Sequence, residues 1–252
     1  MKRGLTLRIF LWPTVALVAY LVAAGMPNVW EAVLRAMFPD EIRVLYQQAT
    51  MYELIGRTIE LVTISSALSI TIGVIAGIFV TRPAGAEFRD VVTDLVNLGQ
   101  TFPPVAVFTL AVPLLGFGVL PTVVALTLYG VLPVLQNTVA AMESLPNEVL
   151  ESASGMGFGR WQRLWRIELP LGAPIILAGI RVSVVVNVAT ATIGAVAGAG
   201  GLGAPIISGL ILSDPAVSLQ GAVLTACLAL ILDAYLGAFE SAAARSVGIQ
   251  RS

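Results

Sequence analysis

Histidine is absent from this chain of 252 residues. That removes imidazole metal ligands and imidazole general bases together. Cysteine occurs once, as Cys227 in an apolar run, so no disulfide framework can form and the residue reads as a small core side chain. Lysine also occurs once, as Lys2. A Walker A loop needs a Gly-Lys-Ser/Thr core, so nucleotide binding of the P-loop kind is excluded. Charge is scarce: 12% of residues are charged and 57% hydrophobic, against about 25% and about 45–50% in soluble domains. A net charge of −1 leaves no global electrostatic case for nucleic acid.

What is present is a series of long charge-free runs. A membrane helix needs about 20 apolar residues. Ile9 to Trp30, Leu61 to Thr81, and Leu95 to Met142 qualify, the last being long enough for two spans with "GFGVLP", Gly116 to Pro121, as the turn. Val182 to Ser213, started near Pro174 and so running past Arg181, supplies the next span. Ala216 to Leu232, continuing to about Phe239, supplies the last. The expectation is an all-α polytopic membrane protein of about six transmembrane helices. The basic start "MKRGLTLR" suits a signal peptide, but the run after it is too long and "AAGMPN" is a weak cleavage site, so a signal anchor or true span is expected.

Basic residues set the orientation. With the N-terminus inside, Lys2, Arg3, Arg8, Arg82, Arg89, Arg160, Arg163, Arg166, Arg245 and Arg251 are cytoplasmic, with Arg181 near that side too, and Arg35, Arg43 and Arg57 are outside. Both ends are then cytoplasmic. The external segment from Pro27 to Tyr52 carries Trp30, Leu34, Met37 and Phe38 at helical spacing. It reads either as a helix lying on the membrane surface or as a tether.

One polar segment interrupts this pattern. "PNEVLESASGMGFG" reads as a short helix with Asn147 as N-cap, acids in its first turns, and a stop at Gly155, Gly157 and Gly159. "RWQRLWRIEL" then restarts a helix, with Arg160, Arg163 and Arg166 as one ridge and Trp161, Leu164, Trp165 and Glu168 toward the other side. An ordinary basic loop would satisfy hydropathy as well. The spacing is more specific. Glu151, Ser152, Ala153, Gly157, Ile167, Leu169 and Pro170 resemble the EAA motif of the permease subunits of ABC importers, with Ser152 in place of an alanine.

That resemblance implies a type I importer permease, with a core of five helices plus an added N-terminal one. The Glu151 to Pro170 loop would be the coupling helix that docks on a separate ATPase subunit, with Arg160, Arg163 and Arg166 as further contacts and Ala153 small to allow close approach. Outside the motif, "QTFPPVAVFTLAVPLLGFGVLPTVVALTLYGVLPVLQNT" and "NVATATIGAVAGAGGLGAPIISGL" look like permeases of the osmoprotectant branch, importers of glycine betaine, choline and carnitine. Methionine permeases share part of the pattern. The organisation implied is residues 1–55 as N-terminal helix and external segment, 56–240 as permease core with the coupling loop at 143–172, and 241–252 as tail. The implied partners are an ATP-binding subunit, a second permease copy or a paralogue, an external substrate-binding protein and the lipid bilayer. No cofactor is implied in this chain; ATP and magnesium would belong to the partner.

Within the spans, Gly73 and Gly77 form a small-xxx-small pair suited to helix packing. Pro103-Pro104, Pro113, Pro121 and Pro133 are expected to break the third and fourth spans, where a cavity or a neighbour satisfies the backbone. Ser183, Asn187, Thr190 and Gly194 share one helix face. Such a stripe faces a water-filled path or hydrogen-bonds to neighbouring helices. Asn97, Gln100 and Thr101 are weaker path candidates. Gly200, Gly201 and Gly203 belong to "GAGGLGAP", which reads as an outside re-entrant turn or gate. Asp233 is an acid inside a span, expected near the interface. No local cluster of aromatics makes a cage for a quaternary ammonium, which places cation–π recognition in the external binding protein. A self-sufficient channel leaves the motif spacing unexplained. An intramembrane enzyme lacks His, an Asp pair within the spans, and a Ser-Lys dyad.

Overall fold

The computed structural model describes residues 2–246 and 248 and, within them, side chains other than those of residues 2–8, 99 and 100. The described secondary structure is helical throughout. Helices α1 (Lys2–Ala24) and α2 (Pro27–Met37) meet at a bend of 78°. Pro27 opens α2, where its missing N–H costs nothing. Helix α3 (Met51–Val80) begins with a capping box in which Thr50 Oγ1 accepts from Glu53 N and Glu53 Oε2 accepts from Thr50 N. After α3 come α4 (Arg89–Thr101), α5 (Pro104–Leu115) and α6 (Val119–Glu143), then the short α7 (Asn147–Gly155) and α8 (Arg160–Arg163). A π turn (Leu164–Glu168) leads into α9 (Leu169–Gly194), followed by α10 (Gly203–Leu212) and α11 (Pro215–Ser246).

Among the described residues, four helical stretches are long and apolar enough to cross a membrane: Met51–Val80, Val119–Glu143, Arg160–Ala197 and Pro215–Ser246; the bent α1–α2 pair makes a fifth candidate. The third span is interrupted at the first of the expected proline breaks. It breaks at Phe102 and Pro103, both in extended conformation, because a residue before proline is pushed out of the α region. Two shorter helices result, α4 with exposed Val91, Leu95 and Leu98, and α5 with Pro104 in its first turn. Pro113, Pro121 and Pro133, also expected to break their spans, lie within α5 and α6 instead. The fifth span also starts earlier than Pro174, since the helix runs on from Arg160.

Helices α3, α6 and α9 form the centre, and they approach closely where glycines face them. A Cβ on Gly73 would sit 2.7 Å from Val134 Cβ, and one on Gly77 2.7 Å from Thr138 Cβ. At Gly130 it would meet Ser69 Oγ at 2.4 Å and Ser183 Oγ at 2.8 Å, so three helices converge on that missing side chain. Helix α1 lies against α11. Phe10 meets Phe239 edge-on with ring centroids 5.0 Å apart, and Tyr235 Oη and Thr14 Oγ1 are hydrogen-bonded at 3.0 Å. Helix α2 packs onto the chain through buried Leu34, which meets Val44 and Ala216, flanked by Trp30 and Phe38, while Met37 is exposed on another side.

Candidate functional site

Helices α7 and α8 project from one end of the bundle as a knob. Asn147 is the first residue of α7 rather than its N-cap; Pro146 holds that position in extended conformation. Glu148 lies in the first turn, beside the positive end of the helix dipole. The helix stops in a Schellman turn. Phe158 N donates to Ala153 O at 3.1 Å and Gly157 N to Ser154 O at 3.0 Å, with Gly157 at φ +83. Nothing lies within 4 Å of where a Gly157 Cβ would be, so the glycine is needed for its backbone conformation and not for space. Gln162 Oε1 then accepts from Gly159 N at 3.1 Å and starts α8.

The π turn decides which side chains the knob presents. Its wide spacing brings residues five apart onto one face. Arg163 therefore turns inward: its Nε donates to Glu168 Oε1 at 2.7 Å and its Nη1 to Ser154 Oγ at 3.0 Å. Glu168 is 2% exposed and also accepts from Arg82 at the end of α3. The expected ridge of three arginines is thus broken. Arg160 and Arg166 are exposed, and Arg163 belongs to an internal clamp joining α7, α8 and the α3 end. Ala153 is 1% exposed and packs inside the chain, so it is not a surface for close approach. Glu151, Ser152, Gly157 and Pro170 are exposed, and Ile167 and Leu169 are half-buried. Met156, Trp161 and Trp165 add exposed apolar surface.

At the opposite end, Gly200 and Gly201 take φ +78 and +76 in a tight turn. Leu202 N donates to Thr58 Oγ1 at 2.8 Å, and Arg57 Nε donates to Ala199 O at 3.1 Å. Gly203 packs against Thr192, where a Cβ would be 2.1 Å from its carbonyl oxygen. The turn is therefore fastened to α3 and α9, and α10 returns from it along α11.

The stripe expected on α9 faces its own neighbours. Ser183 and Asn187 are fully buried and Thr190 nearly so. Asn187 Nδ2 donates to Ser66 Oγ at 3.0 Å on α3, and Ser183 sits at the Gly130 crossing. Interhelical bonding, the second of the two readings for this face, is what these contacts supply. Asn97 and Thr101 lie on α4, away from the stripe; the Gln100 side chain is outside the described residues.

A pairing not foreseen from the sequence involves Arg181 and Asp233. Arg181 Nε and Nη2 donate to the two Asp233 oxygens at 2.6 Å each, and Nη1 to Glu240 Oε2 at 3.3 Å. Asp233 is therefore the α11 half of a bridge to α9. The signal available was one charged residue of opposite sign within each of the last two apolar spans, Arg181 and Asp233.

The profile of the binding-protein-dependent transport system inner membrane component family matches residues 69–245. The chain belongs to that family. This permease is 39% identical to the osmoprotectant import permease protein OsmY of Salmonella typhimurium over 77% of its own length and 82% of that protein. It is 37% identical to the choline transport system permease protein OpuBB of Bacillus subtilis, over 78% of this chain and 91% of the relative. It is 34% identical to the Helicobacter pylori ergothioneine transport permease/ergothioneine binding protein EgtU, over 70% of this chain and 32% of that longer protein. An inward-facing structure of the MetNI methionine ABC transporter superposes with TM-score 0.67 at 22% identity, covering 82% of this permease and 100% of that chain. The shared fold is that of a type I importer permease, built as a multi-pass inner-membrane protein.

Proposed function

We propose that this permease is the path-forming subunit of an ATP-driven importer for quaternary-amine osmoprotectants of the glycine betaine, choline and carnitine type. What supports the cargo is the chemistry common to its relatives. OsmY is named for osmoprotectants, OpuCB of Bacillus subtilis for glycine betaine, carnitine and choline, and EgtU for ergothioneine, itself a trimethylammonium betaine. The methionine transporter resembles this chain at 22% identity, a likeness of fold that carries no cargo.

The observation that carries the mechanism is the knob. It is an exposed two-helix projection with a rigid base, and the clamp at Glu168 ties it to the ends of α3 and α9. A separate ATPase subunit grips Glu151 to Pro170, and its closure tilts the two helices to which the knob is fastened. Exposed Arg160 and Arg166 suit an acidic rim on that partner, and Met156, Trp161 and Trp165 an apolar groove. Positive-inside bias places the knob and both chain ends in the cytoplasm, and the Gly200–Gly201 turn outside, where a substrate-binding protein delivers cargo. A second permease copy or a paralogue completes the path.

The test is ATP-driven uptake of labelled glycine betaine, carnitine and choline by proteoliposomes holding the full complex. Glu151→Ala and Gly157→Trp should abolish uptake while the purified permease keeps its helical content. Uptake of none of the three by an ATP-hydrolysing wild type refutes the cargo. Uptake without an ATPase refutes the mechanism.

A further inference from the structure

Arg181 and Asp233 lie deep in two long apolar helices. At 1.5 Å per residue, Arg181 is about 18 Å along α9 from Leu169 and about 20 Å from Gly194. Leu232, next to Asp233, packs into the apolar cluster of Val62, Leu126 and Val188. The site is shaped around the guanidinium. Asp233, Gly237 and Glu240 occupy one face of α11. A Cβ on Gly237 would stand 3.0 Å from Arg181 Nη1, so the guanidinium occupies the space that a side chain there would take.

This cluster is not enclosed. The side chains of Arg181 and Asp233 keep 36% and 35% of their surface open, while Glu240 behind them keeps 14%. Ionised groups at such depth are costly against hydrocarbon, and they face a bundle interior or a water-filled cavity. The open side of the pair is therefore not a lipid-facing side.

We propose that the open face of Arg181 and Asp233 borders the translocation path between two permease copies and is a station for a small zwitterion, with Arg181 taking the carboxylate and Asp233 the quaternary ammonium. The position on the path rests on fold and family; the zwitterion rests on the cargo reading above. A bidentate pair opens readily only for a ligand that repairs both halves. A betaine returns a carboxylate to the guanidinium and a cation to the Asp233 carboxylate. Choline, a cation without a carboxylate, leaves the guanidinium without its second acceptor. The station thus prefers glycine betaine and carnitine to choline.

Two measurements on the full complex test this. In a Cys227→Ser background, Asp233→Cys should be modified by a water-soluble, membrane-impermeant cationic thiol reagent added to both sides of the membrane. Modification by a lipid-soluble maleimide alone overturns the placement on the path. In uptake assays, Arg181→Gln should raise the KM for glycine betaine about tenfold relative to that for choline. The exchanged pair, Arg181→Asp with Asp233→Arg, restores the bridge between α9 and α11 and should still show altered cargo preference. Unchanged preference in both variants makes the cluster a structural bridge and overturns the station. If wild type imports none of the three solutes, the zwitterion half falls with the cargo reading, and the labelling decides the path half by itself.

Discussion

Replacing Glu168 with glutamine should free the knob from the bundle without unfolding the permease. Glu168 accepts from two arginines through different oxygens, Arg163 Nε on Oε1 and Arg82 Nη2 on Oε2. Hydrogen bonds to charged groups contribute about 1.5–3 kcal/mol each. The arginine side chains are 27% and 30% exposed and so keep part of their hydration, which favours the lower end. Glutamine retains one acceptor oxygen and turns an NH2 group toward the other arginine. The net loss is about 2–3 kcal/mol, equivalent to about 30- to 150-fold in the equilibrium for opening the knob. Hydrogen exchange of the backbone amides from Ala153 to Glu168 reads that equilibrium directly. Exchange there should accelerate by this factor while the central α6 amides stay protected. ATP hydrolysis should persist with less cargo moved per ATP, because the partner's motion no longer reaches α3. Knob exchange within about threefold of wild type would refute the clamp.

Gly157→Asn should be tolerated and Gly157→Val should not. The position is at φ +83 with open space around it, so the cost is conformational, about 1–2 kcal/mol for a residue that avoids this region; affinity of the complex for its ATPase measures it. Gly130→Val should prevent recovery of a monodisperse protein, since a Cβ would stand 2.4 Å from Ser69 Oγ, whereas Gly155→Ala, with nothing within 4 Å, should behave as wild type on size exclusion. Thr58→Val should loosen the Gly200–Gly201 turn by about 1–3 kcal/mol, the cost of an unsatisfied buried N–H at Leu202, and Thr58→Ser should restore it; protease sensitivity of that turn is the assay.

Much of this was legible in the residues alone. The seven-position motif located the knob, and Gly157 within it marked the one place where α7 must reverse into a left-handed residue. The glycines of α3 predicted close helix packing, and Val134 and Thr138 fill those contacts. Pro103-Pro104 marked the break in the third span, where backbone sterics end α4, whereas Pro113, Pro121 and Pro133 are held within helices. Spacing misled at the arginines. Arg160, Arg163 and Arg166 are equally spaced, but the π turn over Leu164–Glu168 brings Arg163 onto the face of Glu168 and into the protein. The α9 stripe was correctly polar and periodic, yet periodicity states that residues share a face and not what that face meets.

Composition by itself determined the solvent of this protein, because so little charge cannot cover a water-soluble surface, and it excluded an ATPase of the P-loop kind, because one lysine at position 2 cannot complete the loop. Tertiary structure alone decided the partners of its few charges. Glu168 meets Arg82 across 86 positions of sequence and Asp233 meets Arg181 across 52. Such pairings depend on how helices cross, and crossing is set by side-chain volume along whole interfaces rather than by any local pattern.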